Sequence, residues 1–383
     1  MRITNNMMFD SSTRNLNNNL QRLSDAQTKY STQSKIQVPS DDPVIATRAI
    51  KYRDYVSDVE QYQKNTSDAT SWMQVTDDAL QGVADYMTRL KELVVNGAND
   101  TNSTASKAAI ADEIKEIKKG LIDTMNTSYA GRYVFAGYNT DEPPYGTKTI
   151  SVTNAAGNTV SVEKVTYKNQ YLNISGPVSA SISDTEITNN IYTAANTGVY
   201  NPAGIKPNGS YRAVTQDISY HVSNGSEVKV NIEGQNVIGW SGDATNVGYK
   251  TGNNLFDTID KVLLGLSGES SYKVVDSTGT VQTYPATPQS SSQLISSCLD
   301  ELETDLDRIA KAQSELGARM NYVESTDSRL ASNEITFTKL QSNNEDIDVA
   351  KASVEVSSAQ SVYEAALSVT AKVTKASLVD YLR

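Results

Sequence analysis

A net charge of −11 and an isoelectric point near 4.8 argue against a cationic nucleic-acid-binding face on this chain of 383 residues. Hydrophobic residues make up 38% of the sequence, which is ordinary for a soluble protein with a substantial core. No run approaches the roughly 18 apolar residues of a membrane span, and the N-terminus lacks the pattern of a cleaved secretory signal. Taken alone, these features predict a cytoplasmic protein without membrane insertion.

The first predicted element is an amphipathic helix. Its apolar stripe follows alternating steps of four and three residues and consists of Leu16, Leu20, Leu23, Gln27 and Tyr30. Three leucines form a thin stripe, and the asparagine-rich stretch NLNNNLQ weakens a solitary helix. We therefore expect this helix to depend on packing partners, including neighbouring subunits.

The stretch VPSDDPVIATRAI at residues 38–50 predicts a rigid joint. Pro39 disfavours the helical conformation of the preceding residue, so the first helix should end near residues 35–37. Pro43 suits the first position of a new helix, with Asp42 or Ser40 as its cap. The predicted joint is formed by Pro39, Ser40, Asp41, Asp42 and Pro43.

A long helix of about 50 residues, or roughly 75 Å, is predicted to follow the joint. Its clearest apolar stripe comprises Leu80, Val83, Met87, Leu90 and Val94, and Asn96-Gly97 is a suitable C-terminal cap. Ser106 to Met125 predicts a third amphipathic helix.

The segment from about 141 to 286 has the character of a β domain. TISVTNAAGNTVSVEKV predicts two strands around an Ala-Ala-Gly-Asn turn, and SEVKVNIEG and SSYKVVDSTGTVQTY predict further strands. One short helix is expected from Asn253 to Leu266. His221, the only histidine, is expected where a strand enters an Asn-Gly turn.

Heptad spacing returns in the C-terminal third. The predicted seam alternates steps of four and three through Ile295, Leu299, Leu302, Leu306, Ile309, Gln313, Leu316, Met320, Val323, Asp327 and Leu330. After the polar sequence SNNED, a last helix is expected from Ile347, with a stripe of Ala350, Val354, Ala365, Val369 and Val373.

These patterns predict a mainly α fold with an inserted β domain, in which N- and C-terminal helices pair in a long coiled-coil-like bundle. Residues 1–37 and 345–383 would be terminal helices that are loose in the free chain. Residues 38–140 and 287–344 would form a helical rod, and 141–286 a β-rich outer domain. We expect removal of about 150–285, with a short linker rejoining the two helical halves, to leave assembly largely intact.

The residues that enzymes use for nucleophilic or metal chemistry are scarce. Cys298 is the only cysteine, and the chain has no HExxH motif, no CxxC pair, no GxGxxG and no P-loop. Carboxylate pairs such as Asp41 and Asp42 suit helix starts better than glycosidase chemistry. We therefore predict no catalytic site, no cofactor and no metal site.

Several segments resemble the flagellin family. The resemblance rests on MRITNNMMFDSS at the N-terminus, KIQVPSDDPVIATRAI at the joint and TRLKELVVNGANDTNS at residues 88–103. GRYVFAGYNTDEPPY, VKVNIEGQNVIGW and the C-terminal third from LGARMNYVES to SLVDYL add to it. The joint PSDDPV and the ending SVTAKVTKASLVDYLR are more similar to family members at the junction of hook and filament than to filament subunits.

The resemblance implies a structural adaptor rather than an enzyme. Its implied partners are hook-associated protein 1, flagellin, copies of the same chain in a ring, and an export chaperone. It also implies export of the unfolded chain through the flagellum without a cleaved signal, and therefore an extracellular location that replaces the cytoplasmic prediction. Two alternatives are a divergent flagellin and, ranked lower, a glycan-binding or enzymatic module in the β domain.

The resemblance and the apolar stripes together predict the subunit contacts. In the family, the region matching TRLKELVVN packs between neighbouring subunits, so Arg89 and Glu92 are candidates there. The thin stripes of the two terminal helices supply the other candidates, which are Leu16, Leu20, Leu23, Val354, Val369 and Val373.

Overall fold

The structure is a computed structural model, and it describes residues 5–153, 159–167, 170–171, 177–187, 216–239, 254–275, 281–285 and 289–381. The chain forms two compact units. Unit 1 comprises Met1–Gln63 and Ser328–Arg383, and unit 2 comprises Lys64–Asp327. These boundaries differ from the predicted domains, because strands of the middle segment pack into the same unit as the helices before and after them.

Helices dominate both ends of the described chain. In chain order they are α1 (Asn5–Thr32), α2 (Pro43–Gly97), α3 (Thr104–Met125), α4 (Asp184–Glu186), α5 (Gly234–Ile238), α6 (Leu255–Leu266), α7 (Ser291–Glu345) and α8 (Val349–Tyr381). The predicted start at Pro43 and end at Gly97 are confirmed. None of the helices in the described part of the chain has the length and apolarity that a membrane span requires.

The strands of unit 2 pair antiparallel, and the longest, β3 and β4, have nine residues each. They are β1 (Ser128–Tyr129), β2 (Arg132–Tyr133), β3 (Tyr145–Thr153), β4 (Thr159–Tyr167), β5 (Gln170–Tyr171), β6 (Val178–Ser179), β7 (Ser219–Ser223), β8 (Ser226–Lys229), β9 (Tyr272–Val275) and β10 (Val281–Tyr284). They pair as β1-β2, β3-β4-β5, β7-β8 and β10-β9-β6. The predicted hairpins are present, and the Ala-Ala-Gly-Asn turn lies outside the described residues.

Helices and strands of unit 2 share one hydrophobic core. The predicted α2 stripe lies within it, with Leu80, Val83, Met87, Leu90 and Val94 fully buried. The middle segment contributes further buried members, which are Tyr167, Val222, Val230, Phe256, Ile259 and Val262. Removal of 150–285 would therefore take these side chains away and expose part of the helical core of unit 2.

The buried face of α7 differs from the predicted seam at every second seam position, where, except before Met320, the residue one position earlier is the buried one. Leu302, Ile309, Leu316 and Val323 are buried as predicted, whereas Leu299, Leu306 and Met320 are only half-buried. The inward positions between them are Cys298, Asp305, Ala312 and Thr326. α7 thus presents a face broad enough to place Leu299, Leu306 and Met320 at the margin of the core.

Asp305 is a fully buried carboxylate within this face, and its partners come from α6 and α7. Its Oδ1 lies 2.6 Å from Arg308 Nη1, and Thr258 Oγ1 donates to its Oδ2 over 3.4 Å. Burial raises the pKa of Asp305 to about 6, despite the opposing effect of Arg308. The sequence pattern could not reveal this position, because a charged residue breaks an apolar stripe.

Cys298, one turn before Leu302, is also part of the buried face of α7. Its Sγ lies 3.3 Å from the carbonyl oxygen of Leu294. Burial, with the nearby Glu301 carboxylate, raises the pKa of the Cys298 thiol to about 12. The thiol is therefore protonated at neutral pH and unreactive as a nucleophile.

Candidate assembly surfaces

The segment after α1 pairs with the segment between α7 and α8. Ser34 and Asp346 form an antiparallel bridge, and Lys35 N donates to Glu345 O over 2.7 Å. Ile347 N donates to Gln33 O over 3.0 Å, and Gln33 has a φ of 55°. α1 therefore ends at Thr32, earlier than predicted, because backbone pairing across the two connections begins at residue 33.

Pro39 lies in a tight turn that the carboxylate of Asp41 supports. Asp41 N donates to Val38 O over 3.0 Å, which places Pro39 at the second position of the turn. Proline is favoured there because its fixed φ matches the turn geometry. Asp41 Oδ2 accepts from Gln37 N at 2.9 Å and from Val38 N at 3.2 Å. Pro39, Ser40 and Asp41 thus form a locally hydrogen-bonded turn.

Asp42 caps α2, as one of the two predicted caps. Its Oδ1 accepts from Val44 N at 2.9 Å and from Ile45 N at 3.1 Å. Its carbonyl oxygen accepts the first intrahelical bond, from Ala46 N. Pro43 follows as the first helical residue, where its missing N–H leaves no bond unmade. The cap and the proline together fix where α2 begins.

The Asp41 turn should respond to acid. Hydrogen bonds from the backbone N–H groups of Gln37 and then Val38 lower the pKa of Asp41 below its ordinary value of 3.8. The stabilisation is therefore present above the ordinary aspartate range and is lost as pH falls through the lowered pKa. In an acid titration, the amide ¹⁵N shifts of Gln37 and Val38 should change with a midpoint below 3.8. Asp41→Asn should remove this transition, and a midpoint at or above 3.8 would contradict the assignment.

A second set of contacts joins the α2 and α7 portions of unit 1. Arg53 Nη2 lies 2.5 Å from Glu345 Oε2, and Glu345 is buried. The rings of Tyr55 and Phe337 stack with centroids 5.3 Å apart. No sequence pattern singled out these residues, because each lies outside the apolar stripes and its partner is almost 300 residues away. These contacts hold α2 against α7 within unit 1.

α1 and α8 pack along each other, and the predicted stripes face in different directions. On α1, Leu23 is buried and Leu16 half-buried, while Leu20 is 47% exposed. On α8, Val354 is 70% exposed and Val369 58% exposed. The residues of α8 that face inward are instead Ala352, Val356, Ala359, Tyr363 and Ala366. The side chain of Val373 lies outside the described part of the chain.

We name Val354, Val362, Ala365 and Val369 the outer stripe of α8, because all four side chains are exposed. Their spacing places them on one side of the helix. Two clefts of about 410 and 420 Å³ lie between α1 and α8 and include members of this stripe. Arg22 and Asn19 of α1 line both clefts. Unit 1 thus exposes an apolar wall beside a polar one, which is unusual for a side of a helix that faces only water.

Arg89 and Glu92 lie on the exposed surface of unit 2. Arg89 Nη1 lies 2.9 Å from Glu92 Oε2, and Arg89 Nη2 lies 2.7 Å from Glu113 Oε1 on α3. Hydrogen bonds to Glu113 and then to Glu92 raise the pKa of Arg89. Both residues therefore have partners within the chain, and their contact with a neighbouring subunit stays a prediction. Within the described residues, no cluster of potential metal ligands was found.

Two segments of the sequence match a known protein family. The bacterial flagellin N-terminal helical region matches residues 3–140, and the bacterial flagellin C-terminal helical region matches residues 299–382. Together the two matches cover more than half of the sequence, including α1, α8 and the joint. The chain belongs to the flagellin family.

Relatives of this flagellin-family chain include proteins of two kinds. Flagellar hook-associated protein 3 of Escherichia coli K12 is 28% identical over 146 residues, which are 38% of this chain and 46% of that protein. A flagellin of Clostridium tyrobutyricum is 30% identical over 128 residues, which are 33% of this chain and 34% of that protein. The chain thus matches less than half the length of either relative.

The shared fold extends further than the matched sequence. A solved structure from Vibrio parahaemolyticus, described as a flagellar hook-associated protein, superposes with a TM-score of 0.51 at 14% identity. The superposition covers 80% of this flagellin-family chain and 100% of that chain. The agreement establishes a common architecture of terminal helices around a strand-containing middle, as the sequence predicted.

Proposed function

We propose that this chain is a structural adaptor of the bacterial flagellum, joining the hook to the flagellin filament. The observation that carries the proposal is the similarity to hook-associated protein 3 of Escherichia coli over 146 residues. The exposed outer stripe of α8 supports it, because four apolar side chains on one side of a helix favour burial against another subunit. No catalytic role enters the proposal.

The adaptor has two faces with different partners. We assign hook-associated protein 1 to the hook side, flagellin to the filament side, and copies of this chain to a ring between them. Candidate contacts are Leu20, Val354 and Val369, which are exposed in the single chain, and Val373, Arg89 and Glu92. Because few apolar side chains lie between α1 and α8, these helices should gain order on assembly, and hydrogen exchange would then report weak protection in the free chain.

Export precedes assembly in this proposal. The chain would leave the cell unfolded through the flagellum, escorted by a chaperone, and fold outside the cell at the distal hook tip. A single buried cysteine suits this route, because the fold needs no disulfide. The chain would then lie outside the cell, at the junction of hook and filament.

Deletion of the gene tests the adaptor role. Cells should retain hooks that carry hook-associated protein 1, lack filaments and release flagellin into the medium, and the wild-type gene should restore filaments. Normal filaments on the deletion strain would overturn the proposal. Immunogold labelling should place the chain only at the base of the filament.

A divergent flagellin is the second candidate, and the 30% identity to the Clostridium flagellin favours it. Abundance separates the two functions. Sheared filaments should contain this chain in traces if it is an adaptor and as the main protein if it is a filament subunit.

A further inference from the structure

A cleft of about 920 Å³ lies in unit 2 between α3, β4, β6 and α6. Its apolar walls come from four elements, with Ile122 of α3, Val162 of β4, Val178 of β6 and Leu263 of α6. The volume is within the usual range of sites for small organic molecules. The proposed adaptor function does not use this cleft.

Three charged side chains line the interior of the cleft. Lys118 Nζ lies 2.5 Å from Asp260 Oδ1, and Lys164 Nζ lies 3.8 Å from Asp260 Oδ2. Lys164 also donates to the carbonyl oxygen of Pro177 over 3.1 Å. The side chains of Lys118 and Lys164 are only 10% and 6% exposed. Two buried cations thus share one carboxylate, which leaves one positive charge in excess.

The charges at the rim are all exposed, and carboxylates outnumber lysines there. Lys115 pairs with Asp112 at 2.9 Å, and Lys119 pairs with Glu116 at 2.7 Å. Glu113, which pairs with Arg89 at 2.7 Å, and Glu163 also line the rim. Exposed charges are screened by water and salt, whereas buried charges interact through a medium of lower polarity. The buried lysines therefore determine which ligand charge the interior favours.

We propose that this cleft binds an amphipathic monoanion, whose apolar body lies against Ile122, Val178 and Leu263 and whose carboxylate or sulfonate pairs with Lys164. Lys164 is the better partner, because Lys118 already contacts Asp260 at 2.5 Å while Lys164 is 3.8 Å from it. A buried cation without a close anion is costly. A ligand anion beside Lys164 would remove this cost. The apolar walls favour an aliphatic or aromatic body over a hydroxylated one.

Calorimetry with the full chain and three probes of equal length tests the proposal. Octanoate should bind at least about tenfold more tightly than 1-octanol, and octylammonium more weakly than both. Resonances of Ile122 and Leu263 should shift on addition of octanoate, which locates the binding. Octylammonium binding as tightly as octanoate, or shifts confined to other residues, would overturn the proposal.

Two substitutions with opposite expected effects on octanoate affinity extend the test. Lys164→Met keeps the Lys118–Asp260 pair and should remove the tenfold preference for octanoate over 1-octanol. Asp260→Asn increases the excess positive charge, so octanoate should bind more tightly than to the wild type. Lys115→Met at the rim is the matched control and should change neither affinity by more than about twofold. Equal losses in the Lys164 and Lys115 variants would contradict the assigned role of Lys164. If Lys164→Met fails to fold, the gain expected from Asp260→Asn still decides the question.

Discussion

Replacing Pro39, Asp42 and Pro43 together with alanine should abolish filament assembly while unit 2 stays folded. Each of the two prolines blocks a helix, and a proline inside a helix costs about 3 kcal/mol relative to alanine. The Asp42 cap adds about 1 kcal/mol in favour of starting α2 at Pro43. Without these signals, helix can extend through residues 36–44, and the pairing of Ser34 with Asp346 would be lost.

The experiment combines motility, filament staining and circular dichroism of the purified variant. Cells should carry hooks, lack filaments and release flagellin, whereas the variant protein should keep its cooperative unfolding transition. Pro43→Ala alone should have little effect, because the hydrogen bonds of Asp42 to Val44 and Ile45 remain. Pro143→Ala, at an exposed loop position, is the matched control. Normal filaments in cells with the triple substitution would show that the joint is not required for assembly.

Replacing Ile259 with aspartate should strongly destabilise unit 2. Ile259 lies on α6 with no exposed surface, in the core that α2, α3 and α7 also form. Loss of the apolar side chain and burial of a carboxylate should together cost at least about 4 kcal/mol. Domains are commonly stable by only about 5–15 kcal/mol, so the cost is about a quarter or more of the stability of unit 2.

Thermal unfolding followed by circular dichroism measures this effect. Ile259→Val should retain the transition with a cost of about 1 kcal/mol. Ala105→Asp, an exposed substitution in the first turn of α3, should leave the midpoint almost unchanged. An unchanged midpoint for Ile259→Asp would show that α6 does not belong to the core of unit 2.

The helices were predictable because their apolar spacing and end signals agree. Proline and Gly97 mark the two ends of α2, and the stripe from Leu80 to Val94 falls entirely within its core face. Alternating residues and an Asn-Gly turn likewise predicted the hairpin of β7 and β8. Local chemistry determines such features, so a single sequence is sufficient for them.

Other features depend on residues distant in sequence, and the sequence pattern missed them. Asp305 occupies a buried position of α7 because Arg308 and Thr258 satisfy its carboxylate, and Thr258 lies on another helix. The bridge between Ser34 and Asp346 ends α1 before the point that Pro39 predicts. The sequence also did not predict that Val354 and Val369 face outward. α8 has small or apolar residues on two sides, and packing against α1 determines which side is covered.

The buried thiol of Cys298 makes the folded chain suitable for site-specific labelling. With a pKa of about 12, the thiolate fraction at pH 7 is on the order of one molecule in a hundred thousand. Maleimide reagents are electrophiles that the cysteine thiolate attacks, so they should leave the native cysteine unmodified and react with a cysteine introduced on the outer stripe of α8. When the core of unit 2 opens, Cys298 becomes reactive, so the same reagent reports unfolding without any substitution.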